Sequence, residues 1–60
     1  MLPQDPVMLL SYLNTLLRDK YKSFDSLAEG LDLGREEKEA IISKLKAIGY
    51  EYSENLNQFR

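Results

Sequence analysis

The sequence predicts a mostly α-helical single domain, residues 1–60, in which three helices precede a small β-hairpin. Three observations indicate this fold. Leucine and isoleucine recur at helical spacing, residues that start and stop helices bound each segment, and aromatic residues flank an Asn-rich turn near the C-terminus. This order of elements is the layout of a helix-turn-helix domain with a miniature wing.

The first helix is predicted over about residues 5–20 and is unusually apolar. Asp5 can cap it, and Pro6 suits the first helical position because its missing N–H is not needed there. The predicted core stripe is Leu9, Leu13, Leu16 and Lys20, flanked by Met8 and Tyr12 on one side and Leu10 and Leu17 on the other. The apolar arc spans about 200°, wider than that of an ordinary surface helix. We therefore expect either that other elements of the chain cover this helix on two sides, or that part of the helix contacts a second chain.

The second and third helices are predicted over about residues 23–31 and 35–48. Ser23 is the expected cap of the second helix, Asp32 lies where the chain must turn, and Gly49 can end the third helix with a positive φ. The predicted inward positions are Leu27, Ala28 and Leu31 in the second helix and Ile41, Leu45 and Ile48 in the third.

The hairpin is predicted over about residues 50–60. Tyr50 and Tyr52 would share one face of its first strand, Asn57 is suited to a left-handed turn, and Phe59 returns to the core. A lone hairpin is unstable in water, so this one must be held by packing on the helices.

Composition narrows the range of functions. The chain has no cysteine and no histidine, which removes disulfides and the usual zinc sites, so we expect no metal and no cofactor. The longest apolar run, Val7–Leu10, is four residues, too short for a membrane span. The N-terminus has no secretory signal pattern, so we expect a cytoplasmic protein with no membrane partner.

Catalysis is not expected. The densest carboxylate cluster is Glu36, Glu37 and Glu39, at the predicted start of the third helix. Negative side chains are favoured there by the helix dipole, which explains the cluster without catalysis. A chain of 60 residues also leaves little room for a substrate pocket.

Nucleic-acid binding is the alternative function. A diverged winged helix-turn-helix regulator would contact DNA through the third helix, with Arg35 and Lys38 as the candidate residues. The segment Arg35–Glu39 carries two cations and three carboxylates, a net charge of −1. Because phosphate contacts supply much of the affinity for DNA, this charge argues against nucleic acid as the partner.

A small protein-interaction module is the first functional hypothesis. The candidate interface residues on the wide apolar arc are Met8, Leu10, Tyr12 and Leu17. The partner would be another protein or a second copy of the chain, which would form a homodimer. The four tyrosines of the chain suit the rim of a core with their hydroxyls in water, and tyrosine is also enriched in protein interfaces.

Several strings of the sequence also resemble a known family. They are Leu2–Ser11 (LPQDPVMLLS), Asn14, Leu17–Asp19, Gly49–Tyr52 and Leu56–Phe59. Together they are similar to a family of short bacterial proteins that carries only a domain-of-unknown-function label. The resemblance covers nearly the whole chain and implies a stand-alone, single-domain bacterial protein. It implies no activity, cofactor or site residue.

Overall fold

The computed structural model describes residues 2–60 and contains three helices and a two-stranded antiparallel sheet. In chain order these are α1 (Pro6–Asp19), α2 (Phe24–Gly30), α3 (Arg35–Ala47), β1 (Tyr52–Ser53) and β2 (Gln58–Phe59). The prediction of a mostly α-helical domain with a C-terminal hairpin is confirmed. Each helix begins and ends within about a residue of its predicted bounds, whereas the paired strands are shorter than the predicted hairpin.

Side chains cap the helix starts. The Asp5 carboxylate accepts a hydrogen bond from the Val7 N–H at 3.1 Å, and Pro6 occupies the first helical position of α1. The Ser23 hydroxyl accepts one from the Ser26 N–H at 3.1 Å, and α3 begins with the Gly34 N–H donating to the Glu37 carboxylate at 3.2 Å. These bonds satisfy backbone amides that would otherwise have no partner within the helix.

Three residues with positive φ turn the chain where the sequence predicts turns. Asp32 has φ of 56°, Asn57 has φ of 51°, and Gly49 after α3 has φ of 90°. Asp and Asn tolerate the left-handed region better than other residues with a Cβ, and glycine enters it without a steric penalty.

The core lies between α1 and the other elements. Its buried residues are Leu9, Leu13, Leu17, Phe24, Leu27, Ala28, Ile41, Leu45 and Phe59. The predicted stripe on α1 is right for Leu9 and Leu13, and Leu16 is half-buried and packs against the core. It is wrong for Lys20, which is exposed, and it omits Leu17, which is buried. The prediction for Ile48 is also wrong: it follows the last residue of α3 and is 37% exposed.

The hairpin is joined to α1 by an asparagine side chain. The Phe59 N–H donates to the Asn14 carboxamide oxygen at 2.8 Å, and the Asn14 amide donates to the Phe59 carbonyl at 3.1 Å. Asn14 thus pairs with the outer edge of β2 as a neighbouring strand would. This contact places the hairpin along the side of α1 that carries Leu10 and Leu17, and it explains why Leu17 is buried.

No helix within residues 2–60 is both long enough and apolar enough to cross a membrane.

Candidate functional site

One side of α1 remains uncovered by the rest of the chain. Met8, Ser11, Tyr12 and Thr15 follow the i, i+3, i+4, i+7 spacing of a single helix face, and all four are exposed. We call these four residues the outer face of α1. Met8 is 61% exposed and Tyr12 is 39% exposed, so the face presents two large side chains beside two small ones.

The outer face of α1 lies in a stretch that carries no charge. No ionisable aspartate, glutamate, lysine or arginine occurs from Pro6 to Leu17, a span of about three helical turns. The Thr15 hydroxyl donates to the Ser11 carbonyl at 2.9 Å, so it has a partner within its own helix. A solvent-exposed helix face usually carries charged side chains, whereas the centres of protein interfaces are depleted in them.

Charged residues appear only at the two ends of α1. Asp5 caps its N-terminus, and at its C-terminus the Arg18 Nε and Nη2 donate to the Asp19 carboxylate at 2.9 and 3.1 Å. The hydrogen bond from Arg18, together with the charge of Arg18, lowers the pKa of Asp19, and the same bond raises the pKa of Arg18. Both side chains are largely exposed, so their contribution to stability is screened by water.

The four predicted interface residues do not form one surface. Leu17 is only 2% exposed, so its prediction as an interface residue is wrong. Leu10 is half-buried and packs against the core. At about 100° per residue, Met8 lies about 160° from Leu10 around the helix, on the opposite edge of the buried stripe. The hairpin covers the edge with Leu10 and Leu17 and leaves the edge with Met8 and Tyr12 open.

A groove of about 680 Å³ runs between α1 and the hairpin. Its apolar lining comes from Val7, Leu10, Leu17 and Leu56. Its polar lining includes Asn14 and Gln58, together with Ser11 and Thr15 of the outer face of α1. Val7 is 64% exposed, so apolar surface continues from the outer face of α1 to the mouth of this groove.

The alternative DNA-binding residues both lie beside carboxylates. The Arg35 Nε is 3.4 Å from a carboxylate oxygen of Glu39, and the Lys38 Nζ is 3.8 Å from one of Asp25. Lys38 is half-buried. It occupies a position at which a helix-turn-helix normally packs an apolar residue. A phosphate approaching either cation would meet a carboxylate as well, which weakens the attraction.

Two of the three carboxylates at the start of α3 have structural partners. Glu37 accepts from the Gly34 N–H, and Glu39 pairs with Arg35 one helical turn away. Within residues 2–60 no group of three or more acidic side chains is close enough to hold a metal ion. The geometry of this end of α3 is accounted for by capping and by pairing along the helix.

The sequence does not predict a half-buried polar network around Tyr52 and Asn57. The Tyr52 hydroxyl accepts from the Phe24 N–H at 3.2 Å and donates to the Asn57 carboxamide oxygen at 2.6 Å. The Asn57 amide then donates to the carbonyls of Leu17 and Tyr21, both at 2.9 Å. This network joins the end of α1, the start of α2 and the hairpin.

One sequence signal was available for the asparagine contacts. Asn14 sits in the middle of a helix, where asparagine is unfavourable because its side chain competes for backbone hydrogen bonds. An asparagine in an apolar helix therefore indicates a specific hydrogen-bonding partner. That partner is the backbone of Phe59, 45 positions away, so the sequence around Asn14 does not identify it.

Comparison with known proteins gives one finding. A family model described as "Domain of unknown function (DUF4250)" matches residues 3–59. No curated protein and no solved structure matches the chain. The matched residues include all three helices and both strands. The chain therefore belongs to the DUF4250 family, as the strings at its two ends predict.

Proposed function

We propose that the protein is a small, non-catalytic protein-interaction module that self-associates through the outer face of α1. The observation that carries the proposal is the uncharged, exposed surface over about two turns of a helix whose other side forms the core. Charged groups are plentiful elsewhere, since the chain has 18 of them among 60 residues. The absence of charged groups from this one face supports a surface from which a bound partner excludes water.

The exposed apolar groups provide a driving force for association. Complete burial of a methionine side chain contributes about 1.5–3 kcal/mol, so Met8, at 61% exposure, leaves about half of this gain unrealised in the monomer. A symmetric pair of chains would bury Met8 and Tyr12 twice. Because the Thr15 hydroxyl is already bonded within the helix, burying it adds little desolvation cost.

The chemistry of the face favours protein over other partners. Nucleic acid or an anionic membrane surface would need lysine or arginine, and the outer face of α1 contains neither. A second copy of the chain would bring an identical apolar face into the contact. A diverged DNA-binding regulator acting through Arg35 and Lys38 is the second candidate, and their carboxylate neighbours count against it.

Sedimentation velocity over a range of micromolar concentrations tests the proposal. The mean sedimentation coefficient of the wild-type protein should rise with concentration, and Met8→Lys should remain monomeric because it places a charge in the contact. Ile42→Lys is the matched control, since Ile42 is a 44% exposed apolar residue on α3, outside the outer face of α1. Circular dichroism would verify that all three proteins are folded. A wild-type protein that stays monomeric throughout would overturn the proposal.

A further inference from the structure

The segment that precedes α1 covers part of the core. Leu2 and Pro3 are half-buried, and the Leu2 side chain packs against the core cluster. We call residues 2–4 the strap. The cleft beside the strap is lined by one face of α3, whose residues follow the i, i+3, i+4, i+7 spacing: Glu37, Ala40, Ile41 and Lys44. The strap therefore shields the seam between α1 and α3, although it belongs to neither helix.

Leu2 lies between two clefts. One cleft, of about 280 Å³, has Leu9 and Ile41 in its wall. The other, of about 300 Å³, has Leu31 and Leu33 in its wall. The Leu2 side chain lines both clefts, so its withdrawal would join them into one cleft with apolar walls that reach the core.

Few contacts hold the strap in place. Pro3 has no N–H to donate, and within residues 2–60 the strap forms one hydrogen bond, from the Lys44 Nζ to the Gln4 carbonyl at 3.2 Å. The hairpin, in contrast, is tied to the rest of the chain by both the Asn14 and the Asn57 side chains. Segments with few buried contacts and few hydrogen bonds open locally at a lower free energy than the whole domain.

We propose that the strap is a cover that opens as a unit, while the three helices and the hairpin stay folded, and that it controls access to the joined cleft. The start of α1 does not depend on the strap, because Asp5 supplies the capping bond and Pro6 confines the backbone of Asp5 to extended conformations. Release of Gln4 also leaves the Lys44 ammonium without its acceptor at the edge of the cleft. This opening requires no second chain.

Thiol labelling tests the opening, since the chain has no cysteine of its own. Ile41→Cys places a thiol in the cleft wall beside the strap, and Leu45→Cys places one in the core of the same helix, outside both clefts. Reaction with dithionitrobenzoate is followed by absorbance at urea concentrations well below the unfolding midpoint. Ile41→Cys should react several-fold faster than Leu45→Cys. Urea should strongly accelerate only Leu45→Cys, because opening of the strap exposes little surface.

Two lysine variants identify the contact that holds the strap. Lys44→Met removes the donor to Gln4 and should accelerate the labelling of Ile41→Cys a few-fold, whereas Lys46→Met, the matched control at an exposed position of α3, should leave it unchanged. Circular dichroism would verify that the variants are folded. Equal labelling rates for Ile41→Cys and Leu45→Cys, with the same dependence on urea, would mean that only unfolding of the whole domain exposes the cleft, and the strap would be refuted. Equal effects of the two lysine variants would refute it as well.

Discussion

Replacing Asn14 by alanine should show how strongly the hairpin depends on one side chain. The substitution removes two hydrogen bonds, of 2.8 and 3.1 Å, from the backbone N–H and carbonyl of Phe59. Phe59 is only 2% exposed, but Asn14 lines the groove between α1 and the hairpin, so water replaces the lost amide only in part. Asn14→Ala therefore removes two bonds and leaves a donor and an acceptor without partners.

The expected cost follows from these two groups. A buried backbone group that loses its partner costs about 1–3 kcal/mol, and two of them cost about 2–4 kcal/mol when they share one side chain. Alanine is a better helix former than asparagine by about 0.6 kcal/mol, which offsets part of the loss. The net loss should be about 1.4–3.4 kcal/mol. A domain of this size has a total stability of only about 3–9 kcal/mol, so the variant should be severely weakened.

Chemical denaturation followed by circular dichroism measures this loss. The proteins should be compared at one fixed concentration, because self-association raises the apparent stability. Asn55→Ala is the matched control: Asn55 is exposed in the hairpin turn, and the same substitution there should change stability by at most about 0.5 kcal/mol. Asn14→Asp should have an intermediate effect, because it keeps an acceptor for the Phe59 N–H and loses the donor. If Asn14→Ala unfolds within about 0.5 kcal/mol of the control, the link between α1 and the hairpin has been misjudged.

Two further predictions concern the hairpin network and the alternative function. Tyr52→Phe should lower the free energy of unfolding by about 1–3 kcal/mol in denaturant titration, because the Phe24 N–H and the Asn57 carboxamide both lose the hydroxyl; an unchanged midpoint would show that the network contributes nothing. Random duplex DNA should show no mobility shift with this protein at about 50 mM salt, where phosphate contacts are strongest. A salt-dependent shift that disappears when Arg35 and Lys38 are replaced by glutamine would instead establish the DNA-binding alternative.

Local sequence rules predicted the ends of the elements well. The caps at Asp5 and Ser23 and the turns at Asp32, Gly49 and Asn57 were all anticipated. Each depends on the chemistry of one residue and its immediate neighbours, such as a carboxylate near a free amide or a residue that accepts positive φ. Such interactions are visible in a sequence because they do not depend on the rest of the fold.

The orientation of α1 was predicted less well. Periodicity alone placed Leu16 and Lys20 in the core stripe, whereas the structure buries Leu17 and exposes Lys20. The helix is turned toward the hairpin, which Asn14 and Asn57 attach along the side that carries Leu17. These contacts join residues 40 to 45 positions apart, and no local pattern determines them.

The attachment of the hairpin to one side of α1 also explains the outcome for the candidate interface. The wide apolar arc had two explanations, cover on both sides or contact with a second chain. The hairpin covers Leu10 and Leu17, so that edge needs no partner. Met8 and Tyr12 remain outside this cover, and only the structure shows that Ser11 and Thr15 complete an uncharged face beside them.

Dilution of ¹⁵N-labelled protein, followed by two-dimensional NMR, tests the central claim most directly because it reports association and its location together. The amide signals of Met8, Ser11, Tyr12 and Thr15 should shift as the concentration falls through the micromolar range, while those around Ile42 on α3 stay constant. Signals that are independent of concentration, or that shift only outside the outer face of α1, would contradict the account.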